Sequence, residues 1–290
     1  MRLLPLLSLL SLSAASPIQL PFLWPSPFPS SPRVNSTSTK VPLTLGVMSK
    51  CPDAEICETV MDRVLDTRTG GIGGGGKDEV VGDLVKLGLL FIAKEQANET
   101  YGVSCMHGEL ECKGNVQQLC AIEHWGEEVQ GGAELRTTGR ERQWGYWWDL
   151  DADRVWWQFV QCMNYGPRSR IGDRAAAKEC ASVVGRDWND EMHRCTATNG
   201  TEGARLLQHS LRAAESMGIT KSCTVMLNGR KICIHDGVWK DCDAGHEVGD
   251  FVRQITDEWN RLNPKETEME DAARQVAELD EGEDDEWELI

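Results

Sequence analysis

No apolar run in this chain is long enough to cross a bilayer, which takes about twenty residues as a helix, so a membrane span is not expected. Positive charge is scarce: 30 Lys and Arg against 46 Asp and Glu leave a net charge of −16, and nothing suggests a nucleic-acid partner. There is no Cys-x-x-Cys, the spacing of the usual dithiol redox pair. The glycine-rich residues 70–76, followed by Lys77, imitate a phosphate-binding loop. However, Asp78 stands where Ser or Thr would hold magnesium, and a helix rather than a strand precedes the run, so it reads as a connector.

What the chain does have is cysteine, eleven in all, every one beyond residue 50. Residues 1–16 read as a secretory signal: Arg2, a short apolar run over residues 3–10, then Ser13-Ala14-Ala15 as the small residues a signal peptidase needs. Asn35, Asn98 and Asn199 each open an Asn-x-Ser/Thr sequon. Leader and sequons together predict a glycoprotein that enters the secretory pathway, where most cysteines pair. An odd count leaves at least one cysteine free, bonded to another chain or working as a thiol.

Six prolines in residues 17–40 mark a Pro/Ser-rich linker. Residues 264–290 hold twelve acidic and two basic side chains, a balance of −10, and read as a solvated acidic tail. Residues 41–263 between them suit one domain with a sizeable core. Within it, residues 41–48 and 87–92 read as strands. A helix is expected to begin at Pro52, with an apolar stripe of Ile56, Val60, Val64 and Leu65. Further helices are expected over 115–124, 172–184 and 201–217. A hairpin turns at Asn228-Gly229, and a last helix shows Val248, Phe251, Val252, Ile255, Trp259 and Leu262 on one face. This order predicts an α/β, thioredoxin-like domain with a helical, disulfide-rich insertion at about 125–200. Trp144, Trp147, Trp148, Trp156 and Trp157 crowd that insertion and are assigned to packing rather than to gripping substrate.

Cys51 falls where a strand gives way to a helix, with Pro52 at the first helical position. Amides at a helix N-terminus favour a thiolate, while Asp53 and Glu55 oppose it. The next cysteine, Cys57, is six residues on. In a regular helix that spacing puts Cα atoms about 9 Å apart and turns the side chains different ways, whereas a disulfide needs Cα atoms within about 7 Å. The two pair only if residues 52–56 leave the helix. If they stay helical, Cys57 pairs elsewhere and Cys51 acts alone.

The pattern Cys105-x-His107-Gly108-x-x-Glu111-Cys112-x-x-Asn115-x-x-x-x-Cys120 resembles the signature of the gamma-interferon-inducible lysosomal thiol reductase family, with Met106 where glutamine is customary. The resemblance extends more weakly from Val41 to about Cys242. Zinc held by Cys105, His107, Cys112 and Cys120 is the rival reading. Their spacing fits no common zinc module, and an exported chain favours disulfides, so neither metal nor bound cofactor is expected.

The resemblance implies a secreted or lysosomal (or vacuolar) thiol–disulfide oxidoreductase. It would reduce protein disulfides best in acid and be regenerated by an external small thiol. Cys51 would be the nucleophile and Cys57 its resolving partner. The chain departs from the family in two places. The reactive pair is respaced, and Cys223 occupies the position where thioredoxin-like proteins carry a cis-proline facing the active site, making it an active-site neighbour. These departures leave a second reading, a non-catalytic, disulfide-stabilised secreted binding protein on the same fold. Cys233 with Cys242, and Cys162 with Cys180 or Cys195, are further expected pairings.

Overall fold

The computed structural model describes residues 38–70, 79–126, 154–198 and 200–264. The leader, most of the linker and tail, the glycine-rich run, Trp144, Trp147, Trp148, and the sequon residues Asn35 and Asn199 lie outside them.

A five-stranded sheet organises the domain, in the order β2-β1-β5-β6-β7. Strand β1 (Val41–Val47) lies at its centre, parallel to β2 (Val85–Phe91) and antiparallel to β5 (Thr224–Leu227). Its apolar side chains Val41, Leu43, Leu45 and Val47 alternate along the strand and are all buried on one face, which packs into the core. Between β1 and β2 the chain crosses over through α1 (Pro52–Leu65) and the single turn α2 (Val81–Leu84). The short strands β3 (Lys94–Glu95) and β4 (Val103–Ser104) form a separate ribbon ahead of α3 (Glu109–Trp125).

Among the described residues three α-helices lie between α3 and α7 (Thr201–Ser216): α4 (Val155–Tyr165), α5 (Arg174–Val183) and α6 (Asp190–Cys195). After α7 come β5, β6 (Arg230–Asp236), β7 (Val238–Lys240) and α8 (Val248–Leu262). A βαβ half and a ββα half sharing one mixed sheet define a thioredoxin-like fold, here with helices α4–α6 interposed. Among the described residues no helix is long and apolar enough to cross a membrane.

Local sequence accounts for the elements that matter most. The β5–β6 hairpin turns at Asn228 (φ 47°) and Gly229 (φ 76°), the two positive φ values a tight two-residue turn requires. Helix α8 opens with a capping box, in which Glu247 and Asp250 each bond the other's backbone N–H. It buries Phe251, Ile255 and Trp259, the face its periodicity predicts.

The stripe expected on α1 is rotated. Ile56 is exposed and Val60 only partly covered, while Ala54, Cys57, Glu58, Met61, Val64 and Leu65 face inward. A glutamate and a cysteine on the buried face disguised the true periodicity. The rotation carries Cys57 into the core.

Five disulfides use ten of the eleven cysteines: Cys57–Cys223, Cys105–Cys112, Cys120–Cys195, Cys162–Cys180 and Cys233–Cys242. Cys51 alone is free. Trp156 and Trp157 are buried, and the Trp157 indole N–H donates to Asp62 at 2.8 Å, so these two tryptophans pack.

Candidate active site around Cys51

Cys51 is the N-cap of α1, extended at φ −76° and ψ 129°, and is 6 % exposed. The turn before it is closed by the Cys51 N–H donating to the Met48 carbonyl at 2.9 Å. Two contacts tie the same turn to the β5 side. The Met48 N–H donates to Ser222 Oγ at 2.9 Å, and Cys51 Sγ donates to the Ser222 carbonyl oxygen at 3.8 Å. The peptide from Ser222 to Cys223 is cis.

The signature segment supplies the other wall. Gly108, at φ 87°, makes the turn into α3, a backbone conformation that other residues rarely adopt. The Cys105–Cys112 disulfide then clamps the incoming loop to the first turns of α3. His107 bonds the fully buried Glu111 through both its ring Nδ1 and its backbone N–H, the latter at 3.2 Å. Asn115, also fully buried, accepts from the Ser49 N–H at 3.0 Å, and Ser49 Oγ donates to the Glu111 carbonyl at 3.2 Å. Asn115 Nδ2 points at Cys105 Sγ, 3.8 Å away. Further along α3, Cys120 is bonded to Cys195 of α6. The signature therefore holds the loop that carries Cys51, through hydrogen bonds two residues ahead of the thiol.

On the opposite side Asp53, in the first turn of α1, accepts from His235 Nδ1 at 2.7 Å and from the Gly237 N–H at 2.8 Å. Its other oxygen lies 4.0 Å from Cys51 Sγ. His235 is buried and edge-on to Trp239, and its backbone pairs with Cys223 in both directions. The sequence reading missed His235. Its signal was present: along β6 it shares the inward face with Cys233, two residues earlier.

The expected pairing of Cys51 with Cys57 is not what the structure shows. Residues 52–56 stay helical, so Cys57 is turned inward and its sulfur is bonded to Cys223, with Cα atoms 6.2 Å apart. Cys57 is therefore not a free resolving thiol in this state, and Cys223 is bonded to a neighbour rather than to Cys51. Among the described residues one group, His124, Cys195 and Glu202, brings possible metal ligands within 4.8 Å of one another. The Cys195 sulfur is already bonded to Cys120, which withholds the thiolate a metal would need. A cleft of about 470 Å3, lined in part by Tyr101, Lys113, Arg174 and His193, has no cysteine in its walls. The free Cys51 sulfur belongs to the turn between β1 and α1, not to that cleft.

At the head of α1 the Cys51 sulfur faces two acceptors, Asp53 Oδ2 at 4.0 Å and the Ser222 carbonyl oxygen at 3.8 Å. Asp53→Asn keeps an oxygen for His235 and Gly237 but removes the negative charge. Iodoacetamide alkylation of Cys51 is expected to speed up by about three- to tenfold at neutral pH, followed by mass spectrometry. A slower rate would mean that Asp53 assists the thiolate through His235 instead.

A thioredoxin-like domain with one free cysteine at the start of its first helix is the class this geometry defines. Residues 42–184, just under half of the chain, match the family described as gamma interferon inducible lysosomal thiol reductase (GILT). The chain is 33% identical over 106 residues to a gamma-interferon-inducible lysosomal thiol reductase-like protein of Anopheles gambiae, a match covering 36% of this chain and 36% of that one. The chain thus spans about a third of the length of that curated relative.

Solved structures similar in shape include the thiol-disulfide exchange protein alpha-DsbA2 from Wolbachia pipientis, with a TM-score of 0.44 and 9% identity over 77% of this chain and 83% of that one. Another is MdbA, a thiol-disulfide oxidoreductase from Corynebacterium diphtheriae, with a TM-score of 0.42 and 11% identity over 77% and 86%.

Proposed function

We propose that the protein is a thiol–disulfide oxidoreductase that works through Cys51. The observation that carries this reading is the state of the cysteines: ten are bonded, and the one left free caps the helix that follows the first strand. Cys51 thiolate attacks a substrate disulfide, forms a mixed disulfide and expels the other substrate sulfur. Protein disulfides are the substrates, and a small external thiol restores the enzyme. The signature cysteines, His107, Gly108, Glu111 and Asn115 position the loop rather than react. Five disulfides suit an oxidising compartment, and Asn98 is exposed, as a glycosylated residue must be. Passage through the secretory pathway to a lysosomal or secreted destination fits both.

Insulin-disulfide reduction by purified protein, at acidic and neutral pH, tests the assignment. Cys51→Ser is expected to bring the rate down to that of the external thiol alone. Undiminished activity in that variant would remove Cys51 from the role.

The second reading is a disulfide-stapled binding protein. It is favoured by one observation: Cys57, the expected partner, is locked to Cys223. Alkylation of Cys51 well below neutral pH supports the enzyme. A Cys51 that resists alkylation until the protein is unfolded supports the binder.

A further inference from the structure

Cys57 and Cys223 are both fully buried, and their bond joins the inner face of α1 to the start of β5. A buried disulfide is ordinarily inert to thiols in solution, because exchange requires in-line access to sulfur. This one has a free thiol beside it. Cys51 Sγ rests against the carbonyl of Ser222, the peptide group that leads directly into Cys223. Cys57 cannot turn toward Cys51 while α1 is intact, but Cys223 lies next to the Cys51 contact and is already bonded to Cys57. Cys223 is thus both the bonded partner of Cys57 and the residue next in the chain to the group that Cys51 Sγ contacts.

We propose that Cys51, Cys223 and Cys57 form a three-cysteine relay in which Cys223 resolves the mixed disulfide on Cys51 and Cys57 then takes the bond from Cys51. This rests on Cys51 being the attacking thiol. With all three reduced, Cys51 thiolate attacks a substrate disulfide; a Cys51–substrate bond forms and one substrate thiolate leaves. Cys223 thiolate attacks Cys51 Sγ; the Cys51–Cys223 bond forms and the second substrate thiolate leaves, so the substrate has gained two electrons. Cys57 thiolate attacks Cys223 Sγ; the Cys57–Cys223 bond forms and Cys51 leaves as thiolate and is protonated. One disulfide is opened and one is made, and each departing thiolate takes up a proton given by an attacking thiol.

The observed state, with Cys57–Cys223 bonded and Cys51 free, is the oxidised end of this sequence. Recharging runs the last step backwards. Cys51 attacks Cys223, which moves the disulfide to the Cys51 loop, and a small external thiol reduces it there.

The relay makes reduction of a buried bond depend on a third residue. Native protein is incubated with glutathione or dithiothreitol, sampled by acid quench, and its thiols mapped by differential alkylation and mass spectrometry. In the unaltered protein Cys57–Cys223 is expected to open before Cys162–Cys180, the internal control. In Cys51→Ser, whose fold keeps all five disulfides, its opening is expected to slow by about tenfold or more while the control is unchanged. In Cys57→Ser, a Cys51–Cys223 linked peptide is expected to accumulate.

Equal opening rates with and without Cys51 overturn the relay. If Cys51→Ser also abolishes insulin turnover, such a result leaves Cys51 as nucleophile and removes only Cys223 and Cys57. Retained insulin turnover in Cys51→Ser overturns the nucleophile assignment and the relay together. Should Cys57→Ser fail to fold, the comparison of opening rates decides alone.

Discussion

Replacing Glu58 with glutamine should stabilise the protein by about 3 kcal/mol at pH 8 and by less than about 1 kcal/mol at pH 5. Glu58 stands on the buried face of α1 beside Cys57 and is 1 % exposed. Its Oε2 accepts from Asn164 of α4 at 2.6 Å, and its Oε1 has no hydrogen-bond partner among the described residues. Burial pushes its carboxyl up to about 7; the Asn164 bond pulls down and the nearby Glu55 charge pushes up. A carboxyl raised in the folded state binds its proton more tightly there than in the unfolded chain. Its contribution is therefore fully present below the unfolded value of 4.5 and is lost as pH rises through 7. Asp62, one turn further along α1, is also raised by burial and acts in the same direction. Glutamine keeps an oxygen for Asn164 and removes the charge. Urea unfolding of both proteins at pH 5 and pH 8 measures the effect. A wild-type stability that does not fall between those values would show that Glu58 is solvated or paired in some other way. The α1–α4 contact thus favours mildly acidic surroundings, independently of any thiol.

The second large effect concerns the bond from Cys120 to Cys195. It closes a loop of 75 residues, the span between α3 and α6. Chain-entropy reasoning puts the loss on opening such a loop at about 4 kcal/mol. Cys120→Ala with Cys195→Ala should lower stability by roughly that amount, seen as a lower urea midpoint with little change in slope. For comparison, the 18-residue loop of Cys162–Cys180 should cost about 3 kcal/mol. Helix α3 also holds Ser49, so the double variant should raise the susceptibility of the residue 48–51 turn to amide exchange. Stability unchanged by removing Cys120–Cys195 would mean that the packed helices alone fix α3.

Much of this arrangement was legible in the sequence because it rests on local rules. The β1 strand, Pro52 at the head of α1, the Asn228-Gly229 turn and the amphipathic α8 each announce themselves through backbone preference or periodicity. The helix geometry of residues 52–56 already stated the condition under which Cys51 would stand alone, and that condition holds.

What was not legible depends on residues far apart in the chain. Glu58 on an inward face broke the apolar pattern of α1, and its partner Asn164 lies 106 residues away. His235 meets Asp53 across 182 residues, and Cys223 meets Cys57 across 166. No spacing rule reaches that far, and eleven cysteines allow too many pairings for spacing to choose among them.

The hydrogen bonds that Ser49 donates to Asn115 and to the Glu111 carbonyl separate two jobs that a Cys-x-x-Cys helix combines. The loop bearing the free Cys51 thiol is held by α3, whereas the residue three positions on, Ala54, belongs to α1. Position and pairing are modular here. The Ser49 contacts would hold the Cys51 turn whichever residue stands at position 54, whereas Cys57 reaches the same turn only indirectly, through its bond to Cys223 beside Ser222.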